Sequence, residues 1–139
     1  MDQSLRDSLF IGSDSRANFK NVIAKRSDLV QFAHGRMVAP VANNTVYEAG
    51  LVLGQVTAVG PTQYQLKPWD PAAVDGSEVA VGILSESTIA DINGDGSKVV
   101  YIRKGCLYEG KLIAPTTAWK AQLGAKSYVE GGEALVDVG

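Results

Sequence analysis

From residue 37 onward the chain is cut into short apolar runs by turn-forming residues, and this spacing limits the fold more than any other feature. MVAPV (37–41) ends in ANN, GLVLGQVTAV (50–59) ends in Gly60-Pro61, and YQLKPW (64–69) ends in DPAAVDG. SEVAVGILSES (77–87) leads toward DINGDG (91–96), and SKVVYIRKG (97–105) leads into CLYEGKLI (106–113). Runs rich in Val, Ile, Leu and Tyr, bounded by Gly, Pro, Asn and Asp at such intervals, are the pattern of an all-β sandwich or barrel. In 99–104, Val99, Tyr101 and Arg103 alternate with Val100, Ile102 and Lys104, so the run loses its apolar character as a strand does on leaving a core. Gly54 and Gly82 interrupt apolar runs, where a bulge or a close backbone approach is expected. The fifteen glycines suit a small barrel with tight corners.

Only one later stretch reads as a helix. Pro115 starts it, Thr116 or Thr117 caps it, Gly124 ends it, and Trp119 and Leu123 fall four apart on one face. The tail YVEGGEALVDV reads as a final strand or a hairpin about Gly131-Gly132. Residues 1–36 differ: apolar clumps (Leu9-Phe10-Ile11, Phe19, Val22-Ile23, Leu29-Val30, Phe32) sit between charged residues without a period, and a short helix within 19–34, stopped by Gly35, is one reading of them. They hold six Lys/Arg against four Asp/Glu, a balance of +2, whereas residues 37–139 hold seven against eleven, a balance of −4. Such a segment is too apolar for a plain linker and too irregular for a domain, so an arm that orders on a partner is expected. The fold expected is therefore mainly β: a small glycine-rich barrel-like or sandwich-like body over 37–139, one short C-terminal helix, and an extended N-terminal arm over 1–36.

The inventory argues against catalysis. The single histidine, His34, lies in the irregular arm, and the single cysteine, Cys106, reads as a strand residue beside a glycine. A Ser-His-Asp or Cys-His arrangement needs a rigid scaffold that nothing near His34 suggests. There is no zinc-type Cys/His spacing and no phosphate-binding glycine loop, so no metal and no cofactor are expected. A net charge of −2 argues against nucleic acid, whose binding rests on neutralised phosphates. No apolar run approaches the ~18 residues of a membrane span, the start shows no secretory signal, and assembly in the host cytoplasm is expected. DINGDG matches the first half of an EF-hand loop, with oxygen ligands at Asp91, Asn93 and Asp95. The twelfth position, however, is Ile102 rather than Glu, and the flanks alternate like strands. Asn, Asp and Gly also favour hairpin loops, and a solvent-facing turn is the expectation.

The stretch from Gln65 to Pro115 resembles the head decoration proteins of lambda-type tailed phages. The shared order is Trp69-Asp70, a spacer, Asp75-Gly76, VAVGIL (79–84), a variable polar loop, a strand ending in Lys104-Gly105, and a Leu/Pro segment. The resemblance extends over roughly 50–138. It implies a small β-rich protein that forms a homotrimer, sits outside an expanded capsid at local three-fold positions and cements it. It implies no enzymatic activity, the major capsid protein as partner, and an N-terminal arm that orders on the shell. On this reading Leu9, Phe10, Ile11, Phe19, Val22, Ile23 and Phe32 are the arm's candidate anchors. Pro68, Trp69, Pro115 and Trp119 are candidates for either the trimer contact or the core. The alternative is a ligand-assisted or calcium-assisted binding module of a virion or cell surface, acting through Asp91 and Asp95.

Overall fold

One long strand explains how the short runs assemble. The computed structural model describes residues 21–25 and 29–139. Among these, the strands in chain order are β1 (Ile23–Lys25), β2 (Gln31–Arg36), β3 (Thr45–Tyr47), β4 (Val52–Gln55), β5 (Leu66–Pro68), β6 (Ala80–Leu84), β7 (Thr88–Ala90), β8 (Lys98–Tyr108), β9 (Lys126–Glu130) and β10 (Glu133–Val138). A one-turn helix, α1 (Trp119–Gln122), lies between β8 and β9. The fold is mainly β, as expected.

The runs expected as 97–105 and 106–113 share one strand of 11 residues, β8. Its partners are all antiparallel: β2 along 98–104, β1 at 106–107, β6 at 101–102 and β10 at 105–108. Beyond β6 the order continues through β4 to β5, and beyond β10 to β9. The sheet is open, but a single parallel bridge, Met37 to Leu66, brings the residue after β2 against β5. The Val38 N–H donates to the Leu66 carbonyl at 2.8 Å.

The sheet buries both faces. Val52, Ile83 and Ile102 join Val22, Trp69, Leu107, Trp119, Val136 and Val138 in the larger core. Their neighbours Leu53 and Leu84 point the other way, into a smaller core with Met37, Leu66 and Val99. This is the two-residue period of a strand expressed across the sheet. Ile102 and Leu107 are an odd number of positions apart yet share the larger core. The register explains it: Phe32 faces Ile102 but Gln31 faces Lys104, so Arg103 is an extra residue that reverses the strand's phase.

Gly54 and Gly82 both meet the expectation placed on them. The register between β4 and β6 slips beside Gly54. A Cβ on Gly54 would lie 2.1 Å from the Ser77 carbonyl oxygen, and one on Gly82 would lie 2.7 Å from that of Ile102. At Gly54 the obstacle is backbone, which cannot swing aside. Gly54→Ala is expected to destabilise the protein by about 2–3 kcal/mol, the order seen for overpacked cores, measured by urea unfolding. A midpoint equal to wild type would contradict this packing.

Trp119 and Leu123 turn one face of α1 onto the larger core, and Gly124 leaves the helix at φ +62°. The expected start is wrong: the helix begins after Ala118 as N-cap, with no side-chain cap bond from Thr116 or Thr117, because 115–118 turn before the helix and do not belong to it. Gly131 and Gly132, at φ +61° and +81°, close the β9–β10 hairpin, as a two-residue loop with both positions left-handed should.

Three further expectations need correction. Residues 22–25 and 31–36, assigned to the arm, are part of the sheet and its core, because β8 supplies a pairing edge that an irregular sequence can use. MVAPV forms only the bridge at Met37. DINGDG does not close a hairpin of two paired strands: β7, just before it, pairs with β3 as a separate two-stranded sheet.

Candidate functional site

The arm candidates divide at residue 21. Leu9, Phe10, Ile11 and Phe19 lie outside the described residues. Val22 is buried in the larger core, and its carbonyl accepts the Tyr108 N–H at 2.9 Å. Ile23 sits opposite Leu107 and packs on the same core. Asn21 holds the junction: its side-chain Oδ1 accepts the Ile23 N–H at 3.1 Å, and its carbonyl accepts Lys111 Nζ at 3.1 Å. Asn21 and Val22 thus lie beside Lys111 and Tyr108. Phe32, on β2, is 48% exposed and is the described arm candidate that presents a large apolar side chain to solvent.

Among the candidates for subunit contact or core, both tryptophans are buried in the larger core. Trp69 Nε1 also donates to the Glu78 carbonyl at 2.8 Å, which satisfies the one polar atom of the indole. Pro68 ends β5 and is exposed, as is Pro115 before α1.

The chemistry-bearing residues are dispersed. His34 lies opposite Val100, six positions along β8 from Cys106, or roughly 20 Å at strand rise. Cys106 Sγ lies 3.1 Å from the Tyr128 hydroxyl, which donates to Asp137 Oδ1 at 3.3 Å. Among the described residues, no group of three or more His, Cys, Asp or Glu is gathered as metal ligands, and no helix is long and apolar enough to cross a membrane.

In DINGDG the oxygens face the chain's own donors. Asp91 Oδ1 accepts the Asn44 N–H at 2.9 Å, and Asn93 Oδ1 accepts the Asp95 N–H at 3.1 Å. Asp95 Oδ2 accepts Asn93 Nδ2 at 3.2 Å. Gly94 and Gly96 take φ +92° and +76°. These are turn-forming bonds of the kind Asx residues make, and they lace the loop to residues 43–44.

Two carboxylates are strongly held, and both bind neighbouring elements together. Asp75 accepts Ser77 Oγ at 2.6 Å, the Ser77 N–H at 3.0 Å and Lys67 Nζ at 3.0 Å. Those donors, Ser77 first, hold its carboxyl well below the usual carboxylate range. Glu109 is lowered by Lys120 Nζ at 2.5 Å and by Ser127, which ties the turn after β8 to α1. A carboxyl depressed in the fold stabilises it above the ordinary value, 3.8 for Asp75, and that contribution fades only on acidification below it. Asp75→Asn is therefore expected to lower Tm at neutral pH, and the difference from wild type is expected to shrink steadily as pH falls below 3.8. Calorimetry across that range checks it, and a Tm difference independent of pH would contradict it.

Among the described residues, the candidate site residues are spread over the two cores and the surface and are not gathered in one place. Sequence reasoning missed the basic strip across β2 and β8, because Arg36 and Lys98 meet only through pairing. A search of curated proteins and a search of solved structures each gave no match. The family model for the bacteriophage lambda head decoration protein D matches residues 21–127, from the junction at Asn21 to the middle of β9. That span takes in β1 and β2 together with most of the body, and the chain belongs to the family of the bacteriophage lambda head decoration protein D, a structural family of the phage capsid.

Proposed function

We propose that this protein is a non-enzymatic capsid-cementing protein. It binds the outside of an expanded phage head as a homotrimer at local three-fold positions, with residues 1–20 reaching the shell. Family membership carries the reading. The fold supports it: β1 and β2 pair with β8 in the main sheet over two buried cores, and a segment with apolar clumps precedes Asn21 in the sequence.

The mechanism follows from number. A closed three-fold ring uses two different patches of each chain and brings three arms to one side. Each arm binds weakly, but once the first is seated the others bind as intramolecular events, which raises avidity by ~10²–10⁴. A trimer whose arms engage several shell subunits resists their separation. Preference for the expanded shell shifts the shell's equilibrium toward that state by the difference in affinity and no more.

The direct test is decoration. Expanded shells of the phage that encodes the chain are mixed with the full chain, sedimented, and heated. The expected result is bound protein at a fixed ratio to shell subunits and a raised disruption temperature. Shells that sediment bare would contradict the proposal.

A further inference from the structure

The β2–β8 pair carries a surface that the cementing reading leaves unused. Phe32, His34 and Arg36 share one face of β2, because alternate residues of a strand point the same way. Opposite them on β8 stand Ile102, Val100 and Lys98. Ile102 is buried, but Phe32, His34, Arg36 and Lys98 are exposed. The result is an aromatic ring followed by three basic side chains.

Arg36 and Lys98 face each other directly, and like charges directly opposite destabilise a sheet. The ion pairs among the described residues, Lys67–Asp75 and Lys120–Glu109, involve none of the three basic residues. The DINGDG loop passes near Arg36: a Cβ on Gly94 would lie 4.0 Å from Nη1. Its carboxylates are turned onto Asn44 and Asn93 instead. An open groove of about 470 Å³ runs here, lined by His34, Gly35, Arg36, Lys98, Val99 and Val100.

The outer edge of β2 is also unpaired among the described residues, as far as the Met37–Leu66 bridge. Among the described residues β2 pairs with β8 alone, which leaves six residues with one row of backbone donors and acceptors open to an added strand. We propose that this edge and its basic strip are a second docking surface, and that they take an extended acidic segment of the shell protein as an added strand. Main-chain bonds along β2 would supply affinity, and alternate carboxylates over His34, Arg36 and Lys98 would supply register. The chain's own unassigned segment fits less well: residues 1–20 carry three Asp against three Lys/Arg, so they offer this strip no net complement. The edge strands of a second copy, β5 (LKP) and β9 (KSYVE), carry no net negative charge and offer the strip no complement either. The identity of the partner rests on the cementing reading; the chemistry of the surface does not.

Two experiments test it with the full chain. The first uses NMR and an alternating Glu-Val octapeptide as probe, with a Lys-Val octapeptide and a single-stranded oligonucleotide as controls. Shifts of the Gln31–Arg36 amides with the acidic peptide alone support the surface. No shifts, equal shifts with the Lys-Val peptide, or shifts with the oligonucleotide instead would overturn it. The second compares shell decoration by wild type, Arg36→Lys, and the double variant Arg36→Glu with Lys98→Glu, all at matched Tm. The expected result is at least a tenfold weaker binding by the double variant, retention by Arg36→Lys, and a wild-type affinity that falls with salt. Equal decoration by wild type and the double variant overturns this inference and leaves the cementing reading standing. Shells left bare by wild type overturn the cementing reading itself.

Discussion

A chain lacking residues 1–20 is expected to fold with a Tm within a few degrees of wild type and to lose capsid decoration by at least a hundredfold. Both halves follow from where the body begins. The side-chain bond from Ile23 to Asn21, the bond from Tyr108 to Val22, and the burial of Val22 all lie at or after residue 21. The truncation therefore removes none of the described contacts. Decoration is lost because three weak attachments that act together fail together, and avidity of ~10²–10⁴ goes with them. A deeper cut behaves differently. Deleting 1–36 removes β1, β2 and Val22, exposes one whole edge of β8 and uncovers both cores. Burial of Val22 alone contributes about 1.5–3 kcal/mol out of the ~5–15 kcal/mol that stabilises a domain. The deeper deletion is expected to be largely unfolded, so its failure to bind would say nothing about the arm. Circular dichroism separates the two truncations before either meets a shell. Full decoration by the shorter one would remove the arm from the mechanism.

The second large effect is expected at Trp119. Its indole fills the larger core beside Val136, Val138 and Ile102. Trp119→Ala leaves a cavity and is expected to cost about 3–5 kcal/mol, which lowers Tm by roughly 10–20 °C for a chain of this length. The concentration dependence distinguishes the two roles open to this residue. Loss of a core contact lowers the stability of each chain equally at every protein concentration. Loss of a subunit contact produces a deficit that shrinks as concentration rises. The buried position leads us to expect the first, and a deficit abolished at high concentration would reassign Trp119 to the interface.

The runs that became β4, β5, β6 and β8 were legible because each is flanked by turn residues and carries inward-facing Val, Ile or Leu. The Gly131-Gly132 hairpin and the end of the helix at Gly124 were legible for a similar reason: their positive φ demands particular residues. The start of the helix was not, because Ala118 is its N-cap and no side chain caps it. Strand β2 was not. QFAHGR lacks β-branched residues, and its pairing comes from β8 rather than from its own propensity, which context readily overrides. Lys104-Gly105 read as the end of a strand, yet β8 continues through it. Lys104 lies opposite Gln31 at the end of β2, and a Cβ on Gly105 would lie 3.1 Å from Val30. The three-residue strands β3 and β7 are too short to carry a period. The basic strip was invisible for a more general reason: its members are 62 positions apart at Arg36 and Lys98, and only register brings them together.

Light scattering of the full chain, alone and then mixed with expanded shells, tests the cementing account most directly. The account predicts a free species of three times 14.7 kDa and, on mixing, its transfer to the shell peak until a fixed ratio is reached. A single-chain mass of 14.7 kDa that persists at all concentrations, with no transfer to the shells, would contradict it.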